Sequence, residues 1–445
     1  MKSILILGAG LSSSSLIRYL LNHSVENNWQ IRVVDQDLAL VKSKLNNHAN
    51  GVALHFNALD PAERIPEIEK ADLVISMLPA RFHVEVAKDC IATRTNLITP
   101  SYISPEMKAL ENEAKAAGIV IMNEIGVDPG IDHMSAMKII HAIKAKGGTI
   151  DSFKSYCGGL IAPESDDNPW NYKFTWNPRN VVLAGQGGAA CFIRKGQYKY
   201  IPYNRLFSRL DKLSVPGYGD FIGYPNRDSL SYRAVYGLEN IPTIFRGTLR
   251  RPEYCEAWNV FIELGMTDDT YSMVDSMNMT PRKLLNAFLP YHATASVEEK
   301  FKAFLRDDRM HLYSKFEWLG MFEEHPILQT ENATPAQLLQ EILVGKLSLK
   351  DGDKDMLVMI HEFEYSLNNE QFKITSSMVN IGEDQVYTSM SNTVGLPAAI
   401  CAKMILTGNL KTIGVTLPIQ PEVYTPILEE LKQYDIDFVE EEIRL

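Results

Sequence analysis

Short apolar runs alternate with helical patterns through the first 126 residues. Ser3–Leu7 (SILIL) is almost wholly apolar, which suits a strand covered on both faces. Gly8-Ala9-Gly10 follows, and from Leu11 to Leu21 the apolar positions suit a helix. A second strand, IRVVD, ends at Asp35, and Leu38–Asn46 predicts the next helix. Further strands are predicted at GVALHFN from Gly51, DLVISMLP from Asp72, TNLITPSY from Thr95 and IVIMNEIG from Ile119. An alanine- and valine-rich helix separates the fourth strand from the fifth, and a helix over Ser104–Ala117 separates the fifth from the sixth. This alternation predicts a parallel, doubly wound α/β sheet, whose ligands bind at the carboxyl ends of the strands. That edge comprises Gly8–Ser12, Asp35–Asp37, Asn57–Ala58, Met77–Pro79, Thr99–Tyr102 and Ile125–Pro129.

Strand, Gly-x-Gly turn and helix come in the order of a dinucleotide-binding unit. The first two glycines permit the turn and a close approach of backbone to pyrophosphate; Ser13 stands where a third glycine is usual, and a small residue can serve there. Ser12–Ser15 are expected to open the helix with unpaired N–H groups facing phosphate. Asp35 can accept hydrogen bonds from both adenosine ribose hydroxyls, and its charge opposes a 2′-phosphate. With Asp37 beside it and no arginine at 35–37, NAD(H) is the expected cofactor.

In VDPGIDHM, Pro129 suits the first turn of a helix running to Lys146, with Asp128 able to cap it. Asp128 reads equally as a site residue, because that cap lies where the sheet edge opens onto a second domain. His133 lies inside the helix and reads as structural. IDSFKSYCGGL then reads as a strand of a second sheet, with Cys157 either a small core residue or a residue lining the site. NVVLAG, AACFIRKG and QYKYIP read as strands, residues 253–322 as largely helical, Thr334 as a helix cap, and DMLVMIHEFEYSLNNEQFKITSSMVNIG as a hairpin turning at Asn-Asn. SNTVGLPAAICAKMILTG predicts a helix returning to the first domain. The expected organisation is a Rossmann-type domain over 1–128, completed by about 391–445, an α+β domain over 129–252 and 323–390, and a helical insertion over 253–322.

Charge sharpens this picture. The 445 residues carry a net charge of −11, which argues against nucleic acid as a partner and requires local arginines wherever an acid binds. Two segments supply them: Arg227 in YPNRDS, and Arg246, Arg250 and Arg251 in IFRGTLRRPEY. The five cysteines are widely spaced, without a CxxC pair, so neither a zinc site nor a disulfide framework is expected. No metal is expected. No signal peptide or membrane-length apolar run is visible, and a cytoplasmic protein is expected.

GVDPGIDHM, SYCGGLIAPESDDNPWNYKFTW, YPNRDS, IFRGTLR and SNTVGLPAA together resemble the glutamate-forming saccharopine dehydrogenases, also called saccharopine reductases, over nearly the whole chain. The resemblance implies a variant Rossmann domain built from both chain ends, an α+β substrate and dimer domain, a mainly helical insertion and a homodimer. It implies the reversible interconversion of saccharopine, a substrate with several carboxylates, with glutamate and 2-aminoadipate 6-semialdehyde in lysine metabolism. It further implies substrate contacts at Ser101, Tyr102, Asp128, Arg227, Thr248, Leu249 and Arg250. The cofactor is expected to border Gly8, Ala9, Gly10, Leu11, Ser12, Asp35, Gln36, Asp37, Asn57, Ala58, Leu78, Pro100, Ser101, Val127, Asp128, Pro129 and Asn177. NADP(H), the usual cofactor of that family, stays open beside NAD(H).

Most of the rate is expected to come from positioning the nicotinamide against the imine carbon. Asp128, Tyr102 and Cys157 are the candidates for proton transfer, with Asp128 first. Two other readings are a related imine reductase, such as a carboxynorspermidine dehydrogenase, and a nucleotide-sensing Rossmann protein without catalysis.

Overall fold

The apolar runs of the N-terminal region become strands: β1 (Lys2–Leu7), β2 (Trp29–Val34), β3 (Gly51–Leu54), β4 (Leu73–Ser76), β5 (Asn96–Ile98) and β6 (Val120–Met122). The computed structural model describes residues 1–184, 188–226, 228–327 and 330–445. These pack as two units, residues 1–151 with 356–445, and residues 152–355. Ile4–Leu7, Leu73–Ile75, Leu97 and Ile121 are fully buried, as strands covered on both faces must be. Between the strands run α1 (Ser14–Asn22), α2 (Leu38–Leu45), α3 (Pro61–Ile68), α4 (His83–Thr93), α5 (Pro105–Ala109), α6 (Glu111–Ala117) and then α7 (Ile131–Ala145). Leu110 leaves helical geometry and splits the helix expected over Ser104–Ala117 in two. Helix α3 was not foreseen. Its start is marked by Asp60, whose side chain accepts from the Ala62 N–H, and by Pro61 in the first turn.

The second unit takes over within β7 (Thr149–Ile161). It continues through α8 (Pro178–Val182), β8 (Ala190–Arg194), β9 (Gln197–Ile201), β10 (Asp211–Val215), β11 (Gly219–Pro225), α9 (Tyr232–Val235) and β12 (Thr243–Arg250). The strand expected at NVVLAG is instead helix α8. Asn177 Oδ1 accepts from the Arg179 N–H and Pro178 occupies the first turn, and this cap outweighs two β-branched valines. Gly185, at the end of that stretch, lies outside the described residues. In this unit β10, β11 and β12 are antiparallel neighbours, and β12 pairs in parallel with Ser152–Cys157 of β7. The expected helical stretch appears as α10 (Tyr254–Leu264), α11 (Pro281–Phe288), α12 (Val297–Leu305) and α13 (Tyr313–Trp318), followed by α14 (Pro335–Leu347). Thr334 and Gln337 form a capping box at the start of α14. Trp170 stacks on Phe261 and meets Phe316 edge-on, which anchors the helices to the segment after β7.

The chain returns to the first unit with β13 (Asp355–Leu367) and β14 (Glu370–Ile381). Their turn residues Asn368 and Asn369 have φ of 52° and 63°, the left-handed pair a two-residue hairpin needs. Then come α15 (Ser389–Leu406), β15 (Gly414–Thr416), α16 (Pro421–Leu431) and β16 (Val439–Arg444), the last antiparallel to β14. β15 joins β6 in parallel, giving a seven-stranded sheet in the order β15-β6-β5-β4-β1-β2-β3. Helix α15 lies against α1, where Ser391 Oγ accepts from the Ser15 N–H at 2.9 Å and Ser15 Oγ donates to Asn392 Oδ1 at 2.6 Å. Gly395 makes this approach possible, since a Cβ there would stand 2.9 Å from the Leu16 nitrogen and 3.1 Å from the Ser12 carbonyl oxygen. No helix among the described residues is long and apolar enough to cross a membrane.

Gly395→Ala is therefore expected to push α15 off α1. A loss of about 1–3 kcal/mol of stability is expected, measured by chemical unfolding.

Candidate active site

The Gly-x-Gly turn leaves β1 with Gly8 at φ 100°, a conformation suited to glycine, packed on the Met77 carbonyl. Nothing lies within 4 Å of a Cβ placed on Gly10, so that face of the turn is open to a ligand. Asp35, after β2, is tied to the turn: Oδ2 accepts from the Ala9 N–H at 2.8 Å and Oδ1 from the Asp37 N–H at 3.1 Å. Asp37 caps α2 through the Leu40 N–H, and Leu11 and Gln36 are exposed beside it. Lys44 donates to the Gly10 carbonyl at 2.6 Å and to Ser13 Oγ at 3.2 Å; burial pushes its ammonium down to about 8. The serine expectation needs correction. The Ser13 N–H goes to the Gly10 carbonyl and the Ser15 N–H to Ser391, so neither remains for phosphate. Ser13 fills the third glycine's position with its hydroxyl folded onto the Gly10 carbonyl at 2.8 Å.

Asn57, Ala58, Leu78, Pro100, Ser101, Val127, Asp128 and Pro129 follow the carboxyl ends of β3, β4, β5 and β6 in the same unit. The Asp128 cap is also corrected. Helix α7 starts at Ile131 behind Gly130, whose N–H donates to Asp132 Oδ1. Gly130, at φ 146°, packs so tightly on Gly126 that no side chain fits, and this tight loop moves the helix start past Pro129. Asp128 instead accepts from the half-exposed Tyr102 hydroxyl, 2.9 Å from Oδ1. Two of the three proton-transfer candidates are thus in direct contact.

Buried groups that sequence reading missed hold the Ser101–Ile103 loop. Glu124 Oε1 accepts from the Ile103 N–H at 2.9 Å, its own N–H donates to the Ser101 carbonyl, and Oε2 meets His133 Nε2 at 2.6 Å. This fits the structural reading of His133. On the other side, His83 lies between two serines, Nδ1 2.9 Å from Ser76 Oγ and Nε2 2.8 Å from Ser101 Oγ. Ser76 and His83 lie in none of the motifs singled out in the sequence, and only the position of Ser76 at a strand end points to them.

In the second unit, Cys157 is buried in β7 opposite Thr248 of β12. Leu249 packs against Gly158, where a Cβ would come within 2.6 Å of the Leu249 carbonyl. Arg250 is only 4% exposed and lies among three tyrosine rings, its Cζ 5.1, 5.9 and 5.4 Å from the centroids of Tyr172, Tyr224 and Tyr254. Its Nη1 donates to its neighbour's carbonyl, while Nε and the Tyr172 hydroxyl are buried without a hydrogen-bond partner. Burial pushes the Tyr172 phenol up to about 12. Among the described residues no carboxylate pairs with Arg250, so this buried cation is suited to an anionic ligand. Arg246 is buried over the Tyr232 ring and Arg251 binds the Tyr218 carbonyl. Asn177 caps α8, and Arg227 lies outside the described residues. Among the described residues no three His, Cys, Asp or Glu side chains gather to hold a metal.

The family model described as the saccharopine dehydrogenase NADP binding domain matches residues 4–122, and that described as the saccharopine dehydrogenase C-terminal domain matches residues 126–437. The saccharopine dehydrogenase [NADP(+), L-glutamate-forming] of Saccharomyces cerevisiae is 35% identical over 442 residues, covering 97% of each chain. The mitochondrial alpha-aminoadipic semialdehyde synthase of Mus musculus is 36% identical over 450 residues, and the match spans 98% of this chain but 47% of that relative. A solved structure of apo saccharopine dehydrogenase (L-Glu forming) from Saccharomyces cerevisiae superposes with a TM-score of 0.91 at 32% identity, covering 100% of both chains.

His83 gives the site an acid signature. Burial holds its imidazole neutral, pushed down from 6.5 to about 4, while the unfolded chain titrates at the ordinary value. Between those values the unfolded chain binds a proton that the folded one does not. The contribution is therefore present above about pH 6.5 and lost as the pH falls toward 4. His83→Gln is expected to show a shallower loss of thermal stability than the native protein between pH 7 and 4.5.

Proposed function

The chain belongs to the saccharopine dehydrogenase family, and from that premise we propose that it is the glutamate-forming type. It oxidises saccharopine with a nicotinamide dinucleotide and water to glutamate, 2-aminoadipate 6-semialdehyde, reduced cofactor and a proton, and runs the reverse reaction. The observation that carries the reading is Arg250, a buried guanidinium without a carboxylate partner among the described residues of an acidic protein. A substrate with several carboxylates supplies the missing charge, and the unpaired Arg250 Nε and Tyr172 hydroxyl are donors for it.

The turn at Gly8–Ser12 fits a dinucleotide, because the open face of Gly10 lets pyrophosphate approach the backbone. The bound cofactor supplies hydride transfer at the substrate C–N centre. The protein's own part is to orient the substrate and to move protons. Asp128, as the hydrogen-bond acceptor of Tyr102, is placed to take the proton from the substrate's secondary amine, and Tyr102 fixes the carboxylate's direction. Cys157 is the third candidate, on β7 beside Thr248.

NAD is preferred over NADP. The Asp35 carboxylate is held against the turn by two N–H groups, with Asp37 two residues on, and Lys44 offsets only part of this charge. The NADP(+) in the relatives' names is the contrary indication.

Reduced nicotinamide is expected to form when the purified protein meets saccharopine, with higher kcat/KM for NAD. Asp35→Ala is expected to narrow the gap. A large NADP preference in the native protein overturns the cofactor assignment, and absence of turnover overturns the reaction. Asp128→Asn is expected to lower kcat/KM for saccharopine by about 100-fold or more while cofactor affinity is kept.

A further inference from the structure

We propose that His83 is a positioning residue that holds the Ser101 hydroxyl as a hydrogen-bond donor toward an acceptor oxygen of the bound ligand. The identity of the ligand rests on the function proposed above.

Ser76, His83 and Ser101 form one chain of contacts, and the hydroxyl of Ser76 touches no other hydrogen-bonding group among the described residues. Ser76 is fully buried at the end of β4, and the His83 ring is buried at the start of α4. A neutral imidazole has one N–H and one lone pair, so the chain has two possible directions. In one, Ser101 donates to Nε2 and Nδ1–H donates to Ser76. The Ser76 proton is then buried with no acceptor, an arrangement proteins avoid. In the other, Ser76 donates to Nδ1 and Nε2–H donates to Ser101 Oγ. Every buried proton then has an acceptor, and the Ser101 proton is left to point away from His83.

The rest of Ser101 is already fixed. Its N–H contacts Thr99 Oγ1 and its carbonyl accepts from the Glu124 N–H. The hydroxyl direction is the remaining freedom, and His83 removes it. Ser101 is only partly buried and follows β5 at the carboxyl edge of the sheet, where ligands of such folds bind. The acceptor it suits is a carbonyl or carboxylate oxygen, available from a carboxamide of the cofactor or a carboxylate of the substrate.

The test compares the native protein, Ser101→Ala, His83→Phe and the double variant. The dissociation constant of the reduced cofactor, by fluorescence, and the KM for saccharopine separate the two sources of the acceptor. Ser101→Ala and His83→Phe are each expected to weaken the same ligand by about five- to tenfold. The double variant should be no weaker than Ser101→Ala alone. His83→Gln, which keeps an N–H donor near the Nε2 position, should restore affinity to within about twofold of native. If His83→Phe does not fold, His83→Ala carries the same comparison. Additive losses overturn the proposal, as does unchanged affinity for both ligands in either single variant. A purely structural role for His83 would lower the melting temperature without this coupling. If the native protein does not oxidise saccharopine, the proposed function fails on that result, and the cofactor constant alone then decides the role of His83.

Discussion

The closeness of α15 to α1 is the constraint on which the rest of the first unit depends. A residue without a side chain at Gly395, and two hydrogen bonds from Ser15 to Ser391 and Asn392, join a late segment of the chain to its first turn. In the turn before α1, a serine stands where a third glycine is usual. The Ser13 side chain turns back onto the Gly10 carbonyl, where Lys44 also binds, and the turn is held from within and from behind. With α1 fixed, β1 and its neighbours set the positions of the loops at their carboxyl ends.

Those loops are held by buried polar groups. Glu124 grips the Ser101–Ile103 backbone from the α7 side, with His133 behind it, and His83 grips the Ser101 side chain from the α4 side. Tyr102, between these grips, faces Asp128. Each grip puts a titratable group in a place where burial would be costly without partners, and each has them. In the second unit the same rule makes Arg250 conspicuous, because its surroundings are aromatic and its Nε has no acceptor.

The parallel sheet was legible in the sequence because its strands are buried on both faces and so appear as unbroken apolar runs. The hairpin was legible because Asn368-Asn369 carries the turn chemistry, and α14 because Thr334 and Gln337 carry the cap. NVVLAG misled because β-branched residues suggested a strand, while the deciding signal was Asn177-Pro178 just before it. Asp60-Pro61 marked α3 in the same way and was missed. Asp128 misled in the opposite sense, since an Asp-Pro pair suggested a cap that the Gly126–Gly130 loop displaces. Charge pointed to the arginines of IFRGTLRRPEY as a group, and only the resemblance singled out Arg250 among them. The tyrosines around Arg250, and the Ser76–His83–Ser101 contacts, join residues from separate strands and helices, and no local pattern carries such a meeting.

The division of the chain has a consequence for its synthesis. Residues 152–355 form one unbroken stretch between the two parts of the first unit. A ribosome adding about 5–20 residues per second needs roughly 10–40 s to make that stretch. During that time α1 has left the ribosome, while the helix that covers its serines does not yet exist. The face of α1 that α15 covers therefore stays uncovered until the second unit has been made. A chain that stops before α15 lacks the partners of Ser15 and the helix that packs on Leu16.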